Sequence, residues 1–91
     1  MVNTETALAL VKTRLNRLQT DTSLDEYLTA RINGAIDQLD GIGIHLTDST
    51  GDLMLLVDYT EWAYKNRDKP GAMPEWLRLE RRERWIREGL K

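Results

Sequence analysis

Few residues in this chain are of a type that does chemistry, and they are scattered. His45 is the single histidine. A general base needs a nucleophile and an orienting carboxylate beside it, and the nearest candidates along the chain are Ser49 and Asp48. A half-exposed histidine in a connector is the simpler expectation. Asp48, Thr50 and Asp52 alternate like the ligands of a calcium loop, but Gly51 comes one residue too early for that pattern. The last ligand position of such a loop would fall on the neutral Tyr59. Helix capping accounts for these residues, so no metal ligand set is expected. Gly41-x-Gly43 lacks the third glycine of a dinucleotide loop, and no G-x-x-x-x-G-K-[ST] occurs, which leaves glycine-loop phosphate binding without support. With no cysteine, disulfides, thiolate metal sites and thiol nucleophiles are excluded. The expectation is a protein that is not an enzyme, with no catalytic residue and no cofactor.

One constellation remains. Arg78, Arg81, Arg82, Arg84 and Arg87 lie close together between Trp76 and the end of the chain, with Trp85 among them. Arginine beside aromatic side chains suits phosphate contact and base stacking. Glu80, Glu83 and Glu88 dilute the run, however, and carboxylates in a groove-reading helix oppose counterion release. Tryptophan and arginine are also the residues most enriched at protein interface hot spots. Protein contact therefore ranks ahead of nucleic acid, and a small helical nucleic-acid-binding module is the alternative.

The elements that must carry these residues belong to one small domain spanning residues 1 to 91. The chain is 41% hydrophobic and 31% charged, with 13 Lys and Arg against 15 Asp and Glu. Apolar residues are too plentiful for disorder, and no run approaches the ~18 residues of a membrane span. No secretory signal is recognisable, and a soluble product is expected. Charge divides unevenly, about −5 over residues 1 to 60 and +3 over the remainder. Such polarity attracts another copy of the chain as readily as a polyanion.

Periodicity predicts an all-α bundle of about four helices with a short extended connector between the second and third. Leu8, Val11, Leu15 and Leu18 recur at helical spacing and place a first helix at about residues 4 to 19. Ser23 and Glu26 fit a capping box opening a second helix, whose buried face is Leu24, Leu28, Ile32, Ala35, Ile36 and Leu39. Asp37 and Asp40 lie on its wet face, and Gly41 is the expected positive-φ stop. Ile42, Ile44 and Leu46 are expected to plug the core from the connector. Ser49 or Thr50 caps a third helix that is apolar nearly all round from residue 53 to 64 and ends near Asp68. Its all-round apolarity makes it the central helix, with Leu56, Tyr59 and Trp62 in the core. Lys69-Pro70-Gly71-Ala72 reads as a turn, and a last helix runs over about residues 74 to 89. There Trp76, Leu79, Ile86 and Leu90 share one stripe, with Trp76 and Leu79 expected against the third helix. That would leave Leu77 and Trp85, flanked by Arg78, Arg81 and Arg82, as the exposed interface. The acidic flank formed by Asp37 and Asp40 is the expected complementary patch. Glu80 to Arg84 and Glu83 to Arg87 are spaced as i,i+4 ion pairs.

The order of these signals resembles a known family. Val11-Lys12 with Arg14-Leu15, Leu24-Asp25-Glu26-Tyr27-Leu28, Gly43-Ile44, and Asp52-Leu53 come first. Leu55-Leu56-Val57-Asp58-Tyr59 leading to Trp62 and Tyr64, then Met73-Pro74-Glu75-Trp76-Leu77-Arg78, complete the series. Together they resemble the small head-tail connector proteins of tailed bacteriophages, also called adaptor or head-completion proteins. The resemblance spans most of the chain, and Tyr59-x-x-Trp62 and Met73-Pro74 carry it furthest. It implies a structural virion protein at the head-tail junction, present in host cytoplasm during assembly. Subunits of that kind form a homo-oligomeric ring, usually twelvefold, beneath the portal protein. The ring extends the DNA channel, touches DNA at most loosely, and docks a downstream tail or stopper protein; no membrane is involved. The chain stops at Lys91, soon after its last helix, so anchoring through a long C-terminal arm is not expected.

Overall fold

Local stop signals, more than apolar periodicity, decide where the helices end. The computed structural model describes residues 2–68 and 71–90. It contains four helices, α1 (Thr4–Arg14), α2 (Asp25–Gly41), α3 (Thr50–Lys65) and α4 (Glu75–Gly89), with no strand among the described residues. The fold is all-α.

Asn3 caps α1, its side chain accepting from the Thr6 amide at 3.0 Å. The helix stops at Arg14, five residues earlier than its apolar spacing suggests, because Asn16 adopts a left-handed conformation with φ 58°. The Asn16 amide then bonds the Thr13 carbonyl and the Arg17 amide the Lys12 carbonyl, the paired reverse bonds of a Schellman ending. Leu18, expected on the buried stripe, lies beyond this turn and is exposed. Lys12 is buried instead, its ammonium 2.9 Å from the Asp25 carboxylate and donating to the Gln19 carbonyl at 2.9 Å. This cation fastens the α1–α2 loop against α1.

The Ser23–Glu26 capping box does not form. Ser23 turns its amide and hydroxyl to the Asp21 carboxylate, and α2 begins after Leu24 without a side-chain cap. Leu28, Ile32, Ala35 and Leu39 form its buried face. At its far end the left-handed residue is Gly43 (φ 96°), two positions past the expected Gly41. Its amide bonds the Asp40 carbonyl, and the Ile44 amide bonds the Leu39 carbonyl, a second Schellman ending that drives Ile44 into the core. Of the three connector residues expected inside, Ile44 is fully buried, Leu46 packs partly against the core, and Ile42 stays exposed.

Ser49 caps α3, accepting from the Asp52 amide at 3.2 Å. This helix packs against each of the other three, while α1, α2 and α3 also pack mutually. Leu56, Val57 and Tyr59 join Val11, Leu28, Ile32 and Leu39 in the main core. Tyr59 reaches through it to donate to the Gln38 side chain at 2.8 Å. Trp62, expected inside, is only half-buried, its ring edge-on to Tyr59 at 6.0 Å.

Half of the Lys69-Pro70-Gly71-Ala72 turn, Lys69 and Pro70, lies outside the described residues. Pro74 is the cap of α4 and not its first helical residue. α4 packs on α3 alone. The molecule measures 41 × 30 × 19 Å, and its short axis is about two helix diameters of ~10 Å. In a slab two helices thick, no described helix besides α3 packs on α4.

Candidate interaction surface

The orientation of α4 is set by a buried ion pair. Leu77 is fully buried and Arg84, two turns further along the same face, is almost so. The Arg84 Nε donates to Asp52 Oδ1 at 2.6 Å and its Nη2 to Asp52 Oδ2 at 3.2 Å. Nη2 also donates to the His45 carbonyl at 2.9 Å, and Nη1 to Glu88 at 3.0 Å. Asp52 is completed by the Thr47 amide at 2.7 Å and hydroxyl at 2.8 Å. A buried charge left unpaired costs several kcal/mol, and in the rotation that α4 adopts Arg84 and Asp52 satisfy each other. Burial by itself would push the Asp52 carboxyl up, but the Arg84 and Thr47 donors outweigh it and hold that carboxyl below its ordinary range.

This rotation keeps Arg78, Arg82 and Trp85 outside as expected but exchanges the places of Leu77 and of Trp76 with Leu79. Trp76, placed by its spacing in the core, is 57% exposed, and Leu79 is 43% exposed. Leu77, placed by its spacing at the interface, is core. The helix therefore presents Trp76, Leu79, Trp85, Ile86 and Leu90 to solvent while an arginine occupies its inner face. The Glu80–Arg84 pair is replaced by Arg84 with Asp52 and Glu88. One signal in the sequence pointed this way: Leu77, Arg81, Arg84 and Glu88 share a face, and burying Leu77 forces Arg84 to find a carboxylate.

Of the remaining interface candidates, Arg78, Arg81, Arg82 and Trp85 are brought together. With Ile42 from the end of α2 they line an open groove of about 450 Å³. Arg81 is half-buried, whereas Arg78, Arg82 and Trp85 are exposed. Arg81 and Arg82 form no ion pair with described residues. The other side of Trp85 faces a second open concavity of about 580 Å³, shared with Gly43, His45, Ile86 and Leu90. Asp37 and Asp40 are exposed on α2 and do not enter the arginine groove.

The candidate reactive groups are not assembled. His45 Nδ1 meets Asp40, not Asp48, while Ser49 is engaged as the α3 cap. Both Asp52 oxygens are occupied by Arg84 and Thr47, and Asp48 is exposed. Among the described residues no group of three or more His, Asp or Glu is placed to hold a metal ion. No helix among them is long and apolar enough to cross a membrane.

A second charged group joins α1, α3 and α4. The Arg14 Nη1 donates to Asp58 at 2.8 Å and to Glu61 at 2.9 Å, and Lys65 reaches Glu61 at 2.8 Å. Glu80 of α4 lies against Asp58; burial, then the Asp58 carboxylate, push its carboxyl above the ordinary range. Compared with models of known families, with curated proteins and with solved structures, the chain matches none.

Proposed function

We propose that this chain is a structural subunit of the neck of a tailed bacteriophage, a head-tail connector without catalytic activity or cofactor. In this reading, copies form a ring beneath the portal protein, extend the DNA channel, and dock the next tail or stopper protein. The observation that supports it best is the orientation of α4: Arg84 pairs with Asp52 on its inner side, and Trp85, Arg78 and Arg82 project to solvent. Exposed tryptophan and arginine on a fixed element are what a docking surface requires. The order of signals from Val11 to Arg78 adds the class of assembly. Asp37 and Asp40 on α2 lie outside the arginine groove, and a contact between two different patches of one molecule is heterologous and closes into a ring when the rotation permits.

Arg82→Glu with Trp85→Ala changes only exposed side chains and tests this reading. The thermal melt should stay nearly unchanged while the variant yields DNA-filled capsids that fail to join tails. Normal infectious particles from that variant, or purified virions lacking this chain, would overturn the proposal.

Nucleic-acid binding is the second reading, favoured by the single groove that gathers Arg78, Arg81, Arg82 and Trp85. Against it, Arg84 is withdrawn into the core. Submicromolar affinity for duplex DNA at physiological salt, lost in Arg81→Ala with Arg82→Ala, would put this reading first.

A further inference from the structure

The residues that α4 turns to solvent follow a three-four spacing. Trp76, Leu79, Glu83, Ile86 and Leu90 fall on the a and d positions of a heptad, and all five are exposed. Leu90, although the C-cap, keeps right-handed helical backbone angles (φ −90°, ψ −4°) and so extends the seam by one position. No other helix of the chain covers it, since α4 packs on α3 alone.

We propose that this seam, from Leu79 to Leu90, is covered by α4 of a second copy of the chain, running antiparallel. The flanking charges select both the occupant and its direction. With Trp76 at an a position, Glu80 and Arg87 occupy e positions and Glu75 and Arg82 occupy g positions. A parallel pair would oppose Glu83 with itself, and would set Glu75 beside Glu80 and Arg82 beside Arg87 of the second copy. Every flanking contact would then join like charges.

In an antiparallel pair e faces e. The register that opposes Leu79 with Leu90 of the second copy, and Glu83 with Ile86, places each Glu80 beside the Arg87 of the other chain. Sliding by one heptad, so that Leu79 meets Glu83, brings Glu80 towards Glu80 and Arg82 towards Arg82. Charges flanking a coiled-coil seam set partner and orientation, and here they select the antiparallel direction. A shorter register that opposes Trp76 with Leu79 also pairs unlike charges, Glu75 with Arg82, but it gives up the contacts of Glu83, Ile86 and Leu90, so the Leu79–Leu90 register is preferred. Arg87 is exposed and forms no ion pair with described residues. Glu80 is half-buried near the Asp58 carboxylate and the Arg14 guanidinium that pairs with Asp58, so an Arg87 from a second copy adds a cation to a site rich in carboxylates.

The helix is 15 residues long. One such face on each partner falls below the ~1,200 Å² of a standard interface, which makes this a weak pair that forms at high protein concentration. The pairing is a property of the isolated chain and does not rest on the connector reading.

Because the chain has no cysteine, single cysteines report the geometry directly. Leu79→Cys mixed with Leu90→Cys should form a mixed disulfide several-fold faster than either variant links to itself. Faster or equal linking of identical positions would overturn the antiparallel register. Sedimentation equilibrium of the unmodified chain should show concentration-dependent dimers. Glu80→Arg should weaken them by at least ~10-fold, a factor that corresponds to ~1.4 kcal/mol. Adding Arg87→Glu to that variant should restore them. A chain that stays monomeric at high concentration, or a dimer indifferent to both charge changes, would sink the proposal.

Discussion

The Arg84 guanidinium and the Asp52 carboxylate, 32 positions apart, meet side by side with Nε to Oδ1 at 2.6 Å and Nη2 to Oδ2 at 3.2 Å. The side chains are only 6% and 4% accessible. This contact joins the first turn of α3 to the last turns of α4, and through the His45 carbonyl it also holds the α2–α3 connector. The inner face of α4 is thus chosen by charge satisfaction, and its larger apolar residues are left outside.

Arg84→Ala should destabilise the fold by ~3 to 5 kcal/mol, because it leaves Asp52 buried without its cation. Urea unfolding reads the loss. Asp52→Asn combined with Arg84→Met should cost clearly less than the sum of the two single changes. Additive costs would show that the pair does not set the orientation of α4.

Acid should weaken this contact. The folded-state carboxyl of Asp52 lies below its ordinary value, so its contribution is complete above the unfolded aspartate pKa of ~3.9 and drains away as pH falls through the folded value. Urea midpoints should drop on acidification below about pH 4. The drop should be shallower in Asp52→Asn, and an equally steep one would assign the acid sensitivity to other carboxylates.

Glu80 carries the opposite sign. Its carboxyl is raised, by burial first and by Asp58 second, so its ionisation costs stability as pH rises through the folded value. Glu80→Gln should therefore raise the unfolding free energy read from urea curves at neutral pH by a modest ~0.5 kcal/mol, since the site is half-exposed and screened. The gain should vanish in acid, where Glu80 is already protonated. A loss at neutral pH would mean that Glu80 is held by a favourable partner.

Core and surface apolar residues should separate cleanly. Leu56→Ala should cost ~2 to 5 kcal/mol, as a fully buried leucine does. Trp62→Ala should cost less than Leu56→Ala because its ring is only half-covered. Trp76→Ala should stay within ~0.5 kcal/mol of the parent, as surface changes do. A Trp76→Ala cost equal to that of Leu56→Ala would return Trp76 to the core.

Gly43→Ala should cost ~1 to 2 kcal/mol, since an alanine at φ 96° carries the left-handed penalty. Its Cβ would stand 3.5 Å from the Trp85 Nε1, an ordinary contact, so backbone strain is the source of the loss. Asn16→Gly should be neutral or slightly stabilising by the same logic. Denaturant midpoints of the two variants moving in the same direction would contradict it.

The sequence by itself determined the four helices, a cap for α3 at Ser49 or Thr50, the buried face of α2, and the central place of α3. Each rests on apolar periodicity or a local hydrogen-bonding residue, both of which act within a few positions along the chain. It also showed that reactive groups are sparse and that Arg78, Arg81, Arg82 and Trp85 lie close in sequence. Helix ends were less legible: Asn16 and Gly43 stop α1 and α2 by left-handed turns, while Leu18 and Gly41 mimic continuation and ending. Only the tertiary structure decided which way α4 faces. Its apolar residues favour one rotation and Leu77 with Arg84 another. The second prevails because Asp52, folded into place by the α3 cap and Thr47, supplies a partner that no spacing within α4 reveals. The same choice turned Trp76 from core to surface and Leu77 from surface to core, and left an apolar seam that the chain alone cannot cover.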